Sequence, residues 1–404
     1  MNKTLQLFFV FSDPNYNPET MNKKVFPILL VFLCMGFGDA VGPFVSLAKV
    51  EFDLNSFKAN LIPFVGFIGF LLFSIPAGII QDRRGKKYVI ILGMLTAMTG
   101  LVIPIFGLYS YSLFLIPILL LGSGSAITQV GGNPIMKDVS AEGHFSRNLA
   151  FGQFIKAIGT LSTAFLPLIA AKYFGLSWTI TFPIYSSVIL ISVIILLFTK
   201  IKEKKYDDQK PATFGSCFKL LKNSYVSMMV IAIFLYVGAE VTISGNLPDF
   251  LKTEFGVDIE KVGLAGTGLF FLAIVIGRFS GSVILNWISA RSFLMITTLV
   301  AIAGIASLFL KIESLAYISA FIIGLGFANI FPLIFSIAID KMPEKTNELS
   351  GLMIMAIFGG ALIPPVFGLI RDNLAGKELL AFGVPLVCVM YVLIISLLSL
   401  KKTH

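Results

Sequence analysis

The chain has 404 residues, of which 56% are hydrophobic and 13% charged, and its mean hydropathy is +0.91. A water-soluble fold of this size leaves much of its surface wet, so it could not hide that much apolar area. The composition therefore excludes an ordinary soluble domain and favours a protein whose solvent is the lipid bilayer.

The N-terminal segment carries no secretion signal that we recognise. Its apolar stretch Leu5–Phe11 is too short for a cleavable signal peptide and lacks a small-residue cleavage site. Met21 stands directly before the basic residues Lys23 and Lys24 and is a second candidate for the start of the native chain. We expect residues 1–24 to form a cytoplasmic tail.

Apolar runs long enough to cross a bilayer, which takes about 20 residues per helix, recur along the whole chain. In the first half they predict six spans, near residues 25–48, 59–81, 88–108, 112–136, 147–171 and 177–199. In the second half they predict six more, near residues 225–250, 261–288, 292–310, 314–339, 348–370 and 379–400. The fold class that follows is an all-α membrane protein with twelve transmembrane helices.

One long polar segment divides these spans into two sets of six. It covers residues 200–224 and is rich in lysine, glutamate and aspartate. We therefore expect a bundle over residues 25–199, a linker over 200–224, a second bundle over 225–400 and a short tail over 401–404. The three cysteines are scattered without metal-ligand or disulfide spacing, so we expect them to be inert core residues. They are Cys34, Cys217 and Cys388.

The basic residues are distributed asymmetrically about the predicted membrane. Of the 31 lysines and arginines, 21 fall in segments on the side of the N-terminus and the linker, eight on the other side and two within spans. Cytoplasmic loops of membrane proteins carry this excess of positive charge. Hence the formal charge of +9 reports topology rather than nucleic-acid binding, and both termini are predicted to be cytoplasmic.

The two halves of the chain repeat each other at an offset of about 200 residues. Three pairs of features correspond: Ala77-Gly78 with Ser280-Gly281, Asn133-Pro134 with Phe331-Pro332, and Asp39 with Glu240. Secondary transporters are commonly built from such repeats and bind their substrate at mid-membrane between them. A channel would not need two matched halves with one midplane acid in each.

A glycine-rich basic loop joins the second and third predicted spans. It runs from Gly78 through Asp82, Arg83, Gly85 and Lys86, and it matches the G-x3-D-R-x-G-[RK]-[RK] pattern of the major facilitator superfamily. The glycine allows close helix approach, the aspartate is favoured near a helix N-terminus, and the basic residues belong on the cytoplasmic side. The plainer alternative is a simple basic turn. We predict that it is a gating loop.

Further segments narrow the resemblance to the fucose–galactose–glucose/proton symporter family. They are Gly38–Pro43, Ser74–Gly78, Gly131–Pro134, Gly143–Ala150, Tyr236–Glu240, Gly277–Phe279, Phe331–Pro332 and Gly359–Pro364. The resemblance implies the major facilitator fold, with two pseudo-symmetric six-helix halves. It also implies uptake of a sugar together with a proton across the bacterial inner membrane.

Two acids deep in the predicted spans are the candidates for proton coupling. Asp39 lies about 22 Å along its helix at 1.5 Å per residue, and Glu240 has an equivalent position in the second half. An ionisable group at that depth is functional by default. In the family resembled, the counterpart of Asp39 is essential for transport and is taken to carry the proton. The structural alternatives are fixed ion pairs, Asp39 with Lys156 and Glu240 with Arg278.

This chain departs from its apparent family in the first half. Gln129 stands where the L-fucose carriers have a glutamate, and Phe154 stands where they have an asparagine. Lys156 has no counterpart that we identify. The cavity has thus lost an acid and gained a base, which weakens any assignment of L-fucose itself. Lys156 is predicted either to control the charge of Asp39 or to meet an anionic group of the substrate.

Polar side chains at similar depth complete the predicted substrate site. Amides are rare in membrane spans and usually face the interior of a bundle, where they either bind a sugar or hold helices together. The candidate substrate-binding residues are Gln129, Asn133, Gln153, Phe154, Lys156, Tyr236, Asn246, Arg278 and Asn329.

The function that we expect is proton-coupled symport of a neutral sugar or sugar derivative by alternating access. The partners expected are a small-molecule substrate, a proton and the lipid bilayer, and the protein is expected to act as a monomer without nucleic acid. An exporter or antiporter of an organic anion or amphiphilic compound is the alternative that Lys156 and Arg278 favour. A non-transporting receptor is more remote. No catalytic constellation, nucleotide loop or metal-ligand cluster is evident, so neither an enzyme nor a cofactor is expected.

Overall fold

The computed structural model describes residues 25–54, 56–107, 110–204, 211–256, 268–374 and 378–401. Most of the predicted terminal tails, including Met21, lies outside these residues. Part of the linker, residues 205–210, and the start of the predicted span 261–288 lie outside them as well.

The first half of the chain, here called the N half, contains six helical segments that we number α1 to α6. The first is interrupted and the others are continuous. Their bounds are Val25–Phe37 (α1a) and Val41–Glu51 (α1b), Ser56–Arg84 (α2), Lys86–Val102 (α3), Tyr111–Val139 (α4), Phe145–Phe174 (α5) and Thr181–Phe198 (α6).

A linker helix, Phe214–Leu220, leads to the second half, here called the C half, with helices α7 to α12. Two of these helices are interrupted, as α1 is. Their bounds are Ser224–Phe255 (α7), Gly268–Ile284 (α8), Ala290–Leu308 (α9), Glu313–Phe327 (α10a) and Ile330–Lys341 (α10b), Thr346–Met355 (α11a) and Gly359–Asn373 (α11b), and Gly383–Lys401 (α12).

These helices occupy the positions of the twelve predicted spans. In the described residues, ten helical segments are long and apolar enough to cross a membrane, and Val25–Phe37 and Gly268–Ile284 are two shorter apolar helices. The sequence did not predict that spans one, ten and eleven are interrupted. The three cysteines are buried, as expected.

Proline explains the interruptions of α1 and α10. A proline in a helix lacks an N–H group, so the carbonyl four residues earlier loses its partner. Pro43 frees the carbonyl of Asp39, and the chain there forms a 3-10 turn, Gly38–Ala40, between α1a and α1b. Pro332 frees the carbonyl of Ala328, where α10 is interrupted.

A further carbonyl freed by proline accepts a hydrogen bond from a side chain. Pro134 in α4 leaves the carbonyl of Val130 without its helical partner, and the hydroxyl of Ser350 donates to that carbonyl at 2.7 Å. Ser350 belongs to the C half, so this bond also joins the halves. Bilayer interiors offer no water to unpaired backbone groups, so a side-chain donor stabilises such an interruption strongly.

The loops lie at two ends of the bundle. We call the end that carries the linker, together with the loops after α2, α4, α8 and α10, the linker face, and the other end the opposite face. At the linker face the halves are in direct contact. Gly78 of α2 packs so closely on α11a that a side chain there would meet the backbone of Asn347 and Gly351. The predicted role of Gly78 in close helix approach is confirmed.

Further bonds between the halves lie on the same side of the bundle. They join Lys137 to Asp340 (2.6 Å), Ser146 to Ser336 (2.8 Å) and Arg147 to Asn286 (2.9 Å). Among pairs in which both residues are described, the hydrogen bonds and ion pairs between the halves lie between the linker face and mid-membrane. The structure is therefore closed at the linker face.

Close packing of α1a on α5 predicts a sharp sensitivity at Gly36. A methyl group there would meet backbone atoms of Lys156, Gly159 and Thr160 inside normal contact distance. We expect Gly36→Ala to destabilise the protein by about 1–3 kcal/mol, the usual range for overpacking, and to lower its melting temperature in detergent.

The matched control for this substitution is Gly245→Ala in α7, where an added methyl group meets no atom within 4 Å. Alanine is the better helix former, so that variant should melt at the wild-type temperature or above it. Equal melting temperatures for the two variants would contradict the packing that we describe.

Candidate functional site

A carboxylate and an ammonium group meet in the interior of the N half. Lys156 Nζ of α5 lies 3.3 Å from Asp39 Oδ2, in the 3-10 turn of the first span. The hydroxyl of Thr160, one turn further along α5, donates a hydrogen bond of 2.7 Å to the same oxygen. The carboxylate of Asp39 is therefore held by two groups of α5, the charged ammonium of Lys156 and the neutral hydroxyl of Thr160.

The glycines beside this pair explain why it forms. Gly36 and Gly159 face each other and allow the backbones of α1a and α5 to touch, which brings the next residues of each helix together. Gly38 approaches α4 so closely that a side chain would meet Ser125. The 3-10 turn is thus fixed on two sides.

In the C half, a second acid and base share a tyrosine. The hydroxyl of Tyr236 lies close enough to Glu240 and Arg278 to interact electrostatically with both, and it donates a hydrogen bond of 3.0 Å to the carbonyl oxygen of Phe327. The single proton of this hydroxyl is thus directed to the Phe327 carbonyl. Arg278 attracts Glu240 electrostatically, but its guanidinium is hydrogen-bonded elsewhere.

Arg278 ties the halves together through backbone carbonyls. Its Nε donates to Ala328, the carbonyl freed by Pro332, and its NH1 donates to Gln153 of α5, both at 3.3 Å. The side chain is 9% exposed. Arg278 and Glu240 therefore attract each other electrostatically, and among the described residues they form no closed ion pair.

The four charged groups form one electrostatic unit across the interface of the halves. Besides Arg278, both Lys156 and Asp39 act on the charge of Glu240. The unit contains two acids and two bases, so it is neutral when all four are ionised. A neutral set of charges is far less costly inside a bilayer than any one of them alone.

The predicted amides serve mainly as structural links. The side chain of Gln153 donates to Asn133 Oδ1 at 3.0 Å, and both residues are at most 1% exposed. Gln129 donates to Ser125, which packs on the turn of Asp39. Asn329 donates to the carbonyl of Gly277 at 2.7 Å. In this conformation Gln153, Asn133 and Asn329 hold helices together, whereas the bond of Gln129 lies within α4.

Two other candidates remain partly accessible. Phe154 packs its ring edge-on against Phe279 of α8, with centroids 5.3 Å apart, and so forms an apolar contact between the halves. Asn246 lies less than two turns beyond Glu240 on α7 and donates to the carbonyl of Thr242 in its own helix.

Accessibility differs on the two sides of the ion pair. The side chain of Asp39 keeps 36% of its surface exposed and that of Lys156 keeps 12%. Towards the linker face, Gln153 and Asn133 are sealed. On the other side, towards the opposite face, Phe64 is 39% exposed. We therefore describe a site at mid-membrane that is open to one side only.

The predicted gating loop is anchored on both halves. Asp82 accepts a hydrogen bond from the side chain of Asn347 in α11a and another from the backbone N–H of Ala212 before the linker helix, each 2.8 Å long. Gln81 donates to the other side of the Asn347 amide at 2.8 Å. Asp82 therefore lies beside the first residues of α11a and the residues that precede the linker helix.

The basic end of the loop has specific partners as well. Gly85 has a φ of 89°, which favours glycine, and it allows α3 to begin at Lys86. The carboxylate of Glu203 in the linker accepts from the backbone N–H groups of Lys86 and Lys87 at 2.6 and 2.9 Å. The ammonium of Lys86 pairs with Asp138 at 2.5 Å. Arg83 is exposed.

Comparison with known proteins identifies the fold. Residues 28–365 match the family model of the Major Facilitator Superfamily. The chain belongs to the major facilitator superfamily. The crystal structure of the Escherichia coli fucose:proton symporter FucP matches it with a TM-score of 0.81 at 20% sequence identity, over 93% of this chain and 98% of that one. The predicted fold class is thus confirmed.

Two relatives of this major facilitator protein carry sugar-transport names. A glucose/galactose transporter of Brucella abortus is 28% identical over 417 residues, which cover 97% of this chain and 99% of that protein. The L-fucose-proton symporter of Escherichia coli K12 is 27% identical over 383 residues, 85% of each chain. These matches agree with the expectation that the protein is a transporter and not an enzyme.

Sequence reasoning missed several residues of the site. Thr160 was detectable, because it lies four residues after Lys156 and so shares its face of the helix. Ser350, Asn347 and Glu203 carry no such signal, since their partners lie more than 100 residues away in the chain.

The contact between Asp39 and Lys156 can be measured by a double-mutant cycle. We expect Asp39→Asn and Lys156→Met each to destabilise the protein and the double variant to recover part of the loss. The coupling free energy should lie between the ~1 kcal/mol of exposed pairs and the ~3–5 kcal/mol lost on breaking buried ones. Chemical denaturation in detergent gives the values. Additivity within about 0.5 kcal/mol would show that the two charges are uncoupled.

A second prediction concerns the gating loop. Asn347→Ala removes the amide shared by Gln81 and Asp82, so the linker face should open more often. A thiol reporter at Ser336→Cys, a buried position between the halves, should then be alkylated several-fold faster. The native cysteines give little background, since all three are buried and burial raises the pKa of Cys217 to about 11.

The matched control for the reporter assay is Asn373→Ala, which removes an amide from the last turn of α11b at the opposite face. That variant should leave the alkylation rate unchanged. Equal acceleration by both substitutions would show that the reporter senses general loosening and not the gating loop.

Proposed function

We propose that this protein is a proton-coupled symporter that takes up a neutral sugar or sugar derivative. The observation that carries the proposal is the ion pair of Asp39 and Lys156, which is partly exposed at mid-membrane between two halves that are closed on one side. The names of the relatives, which mention glucose, galactose and fucose, support a hexose as the substrate.

The excess of lysine and arginine supports a cytoplasmic position for the linker face, and the bacterial relatives support an inner membrane as the location. Closure at that face then means that the structure is in an outward-facing state. The regions 25–199 and 225–400 act as the two moving bodies, and a single chain holds a complete site between them. Alternating access would exchange closure at the linker face for closure at the opposite face.

The coupling step follows from the charges. A proton that enters from outside neutralises Asp39 and removes the partner of Lys156. The ammonium group is then drawn towards Glu240, whose charge it already influences from the other half. The attraction is strong in a poorly hydrated site and pulls the halves together on the open side. Protonation thereby favours closure of the loaded carrier.

A neutral substrate fits the zero net charge of this site. The four ionised groups sum to zero, so a charged substrate would leave net charge in the membrane interior unless it were compensated. Sugar hydroxyls instead need donors and acceptors, which Asp39, Lys156, Glu240 and Asn246 offer on the accessible side. Phe154 and Phe64 provide apolar surface for the face of a sugar ring.

Lys156 also supports a second candidate function, the exchange or export of an organic anion. An anionic group of the substrate would take the place of Asp39 as the partner of the ammonium. A panel of sugars and organic acids, scored by the rise in melting temperature of the purified protein, separates the two, because a bound ligand stabilises the folded state. Stabilisation by organic acids alone would favour exchange.

The proton role of Asp39 predicts a separation of two transport activities. In proteoliposomes, Asp39→Asn should abolish the accumulation of a sugar driven by an imposed pH gradient. Exchange of labelled for unlabelled sugar should continue, because it needs no net proton movement. Undiminished gradient-driven accumulation by this variant would refute the role.

The control is Asp53→Asn, the same substitution in the loop between α1b and α2. Asp53 has a φ of 46°, a conformation that asparagine also adopts readily, so the fold should tolerate the change. That variant should accumulate sugar like the wild type. Loss of both activities in Asp39→Asn would point to a structural role for the carboxylate.

A further inference from the structure

A cavity of about 130 Å³ lies at the linker face of the C half, away from the transport site. It is bordered by the first turns of α7 and α9, by the last residue of α10b and by the end of α12. Its polar walls are Tyr225, Arg291, Lys341 and Ser399, and its apolar walls include Met228 and Leu398.

The walls of this cavity are strongly biased towards positive charge. Two of its eight described lining residues are basic and none is acidic. The ammonium of Lys341 lies 4.0 Å from the centre of the Tyr225 ring, and Arg291 also acts electrostatically on this tyrosine. Asp340, next in the chain to Lys341, also acts electrostatically on Tyr225, but it is bound at 2.6 Å to Lys137 of the N half, which offsets part of its negative charge.

Helix ends add to the positive potential. Tyr225 and Arg291 are the second residues of α7 and α9, so the cavity adjoins the N-termini of two helices. Such ends carry partial positive charge and attract anions. A single water occupies about 10–15 Å³ of cavity volume, so 130 Å³ admits a group much larger than water.

Beside the cavity, α12 presents apolar side chains outward along the bundle. Ile394 is 54% exposed and Leu398 is 44% exposed. In a membrane this surface is lined by acyl chains. An anionic site next to a lipid-facing groove, at the level of the headgroups, matches a phospholipid better than a free anion.

We propose that this cavity binds the headgroup of an anionic phospholipid from the leaflet at the linker face. Its phosphodiester lies between Arg291 and Lys341, headgroup hydroxyls meet Tyr225 and Ser399, and one acyl chain follows α12. The inference rests on the membrane-spanning fold and is independent of which substrate the protein transports.

The test uses the full-length protein in detergent with added lipid, analysed by native mass spectrometry. Phosphatidylglycerol should bind at least tenfold more tightly than phosphatidylcholine. Arg291→Gln combined with Lys341→Gln should remove this preference, whereas Arg291→Lys should retain it. The matched control is Lys200→Gln combined with Lys219→Gln, which removes two exposed charges from the same face outside the cavity and should keep the preference.

Three results would overturn the proposal. The first is an unchanged lipid preference in the Arg291 and Lys341 double variant, and the second is an equal loss in the control variant. The third is displacement of phosphatidylglycerol by millimolar glycerol phosphate or inorganic phosphate, which would assign the cavity to a soluble anion. If the double variant does not fold, the lipid preference can be measured with Lys341→Gln alone, because this substitution alters an exposed side chain.

Discussion

Hydrogen bonds to backbone carbonyls freed by proline are the constraint on which the rest of this structure depends. Hydrocarbon offers no partner for an unpaired carbonyl, so a carbonyl freed by proline is stabilised by a donor from within the protein. Ser350 supplies it for Val130, and Arg278 supplies it for Ala328. Ser350 and Arg278 each also connect the two halves. The same requirement that satisfies the interrupted helices therefore closes the linker face.

The neutral charge unit depends on this closure and explains how one proton could matter. Asp39, Lys156, Glu240 and Arg278 balance one another only while they lie near the same interface. Addition of a proton to Asp39 leaves one positive charge in excess, and the arrangement of the halves decides where that charge is best placed. A carboxylate without Lys156 would behave differently, because protonation would then neutralise an isolated charge instead of releasing a cation.

The sequence predicted the twelve spans and the basic loop between α2 and α3, because hydropathy, glycine and charge act locally; the gating role of that loop stays a prediction. It also predicted that Asp39 and Glu240 are counterparts, since the repeat aligns them. The contacts made by these residues depend on helix rotation and on interruptions one or two residues long. Asn133 and Gln153 illustrate the limit: both were predicted for the substrate site, and both are sealed in a bond to each other in this conformation.

The pseudo-symmetry of the backbone is broken in the chemistry of the two halves. In the N half, the base touches its acid and both retain exposed surface. In the C half, Arg278 is held by carbonyls of both halves and forms no ion pair with Glu240 among the described residues. Separation of the halves at the linker face would break the bond from Arg278 to Gln153 and release the guanidinium towards Glu240. In the mechanism that we propose, the N half therefore responds to the proton and the C half responds to closure.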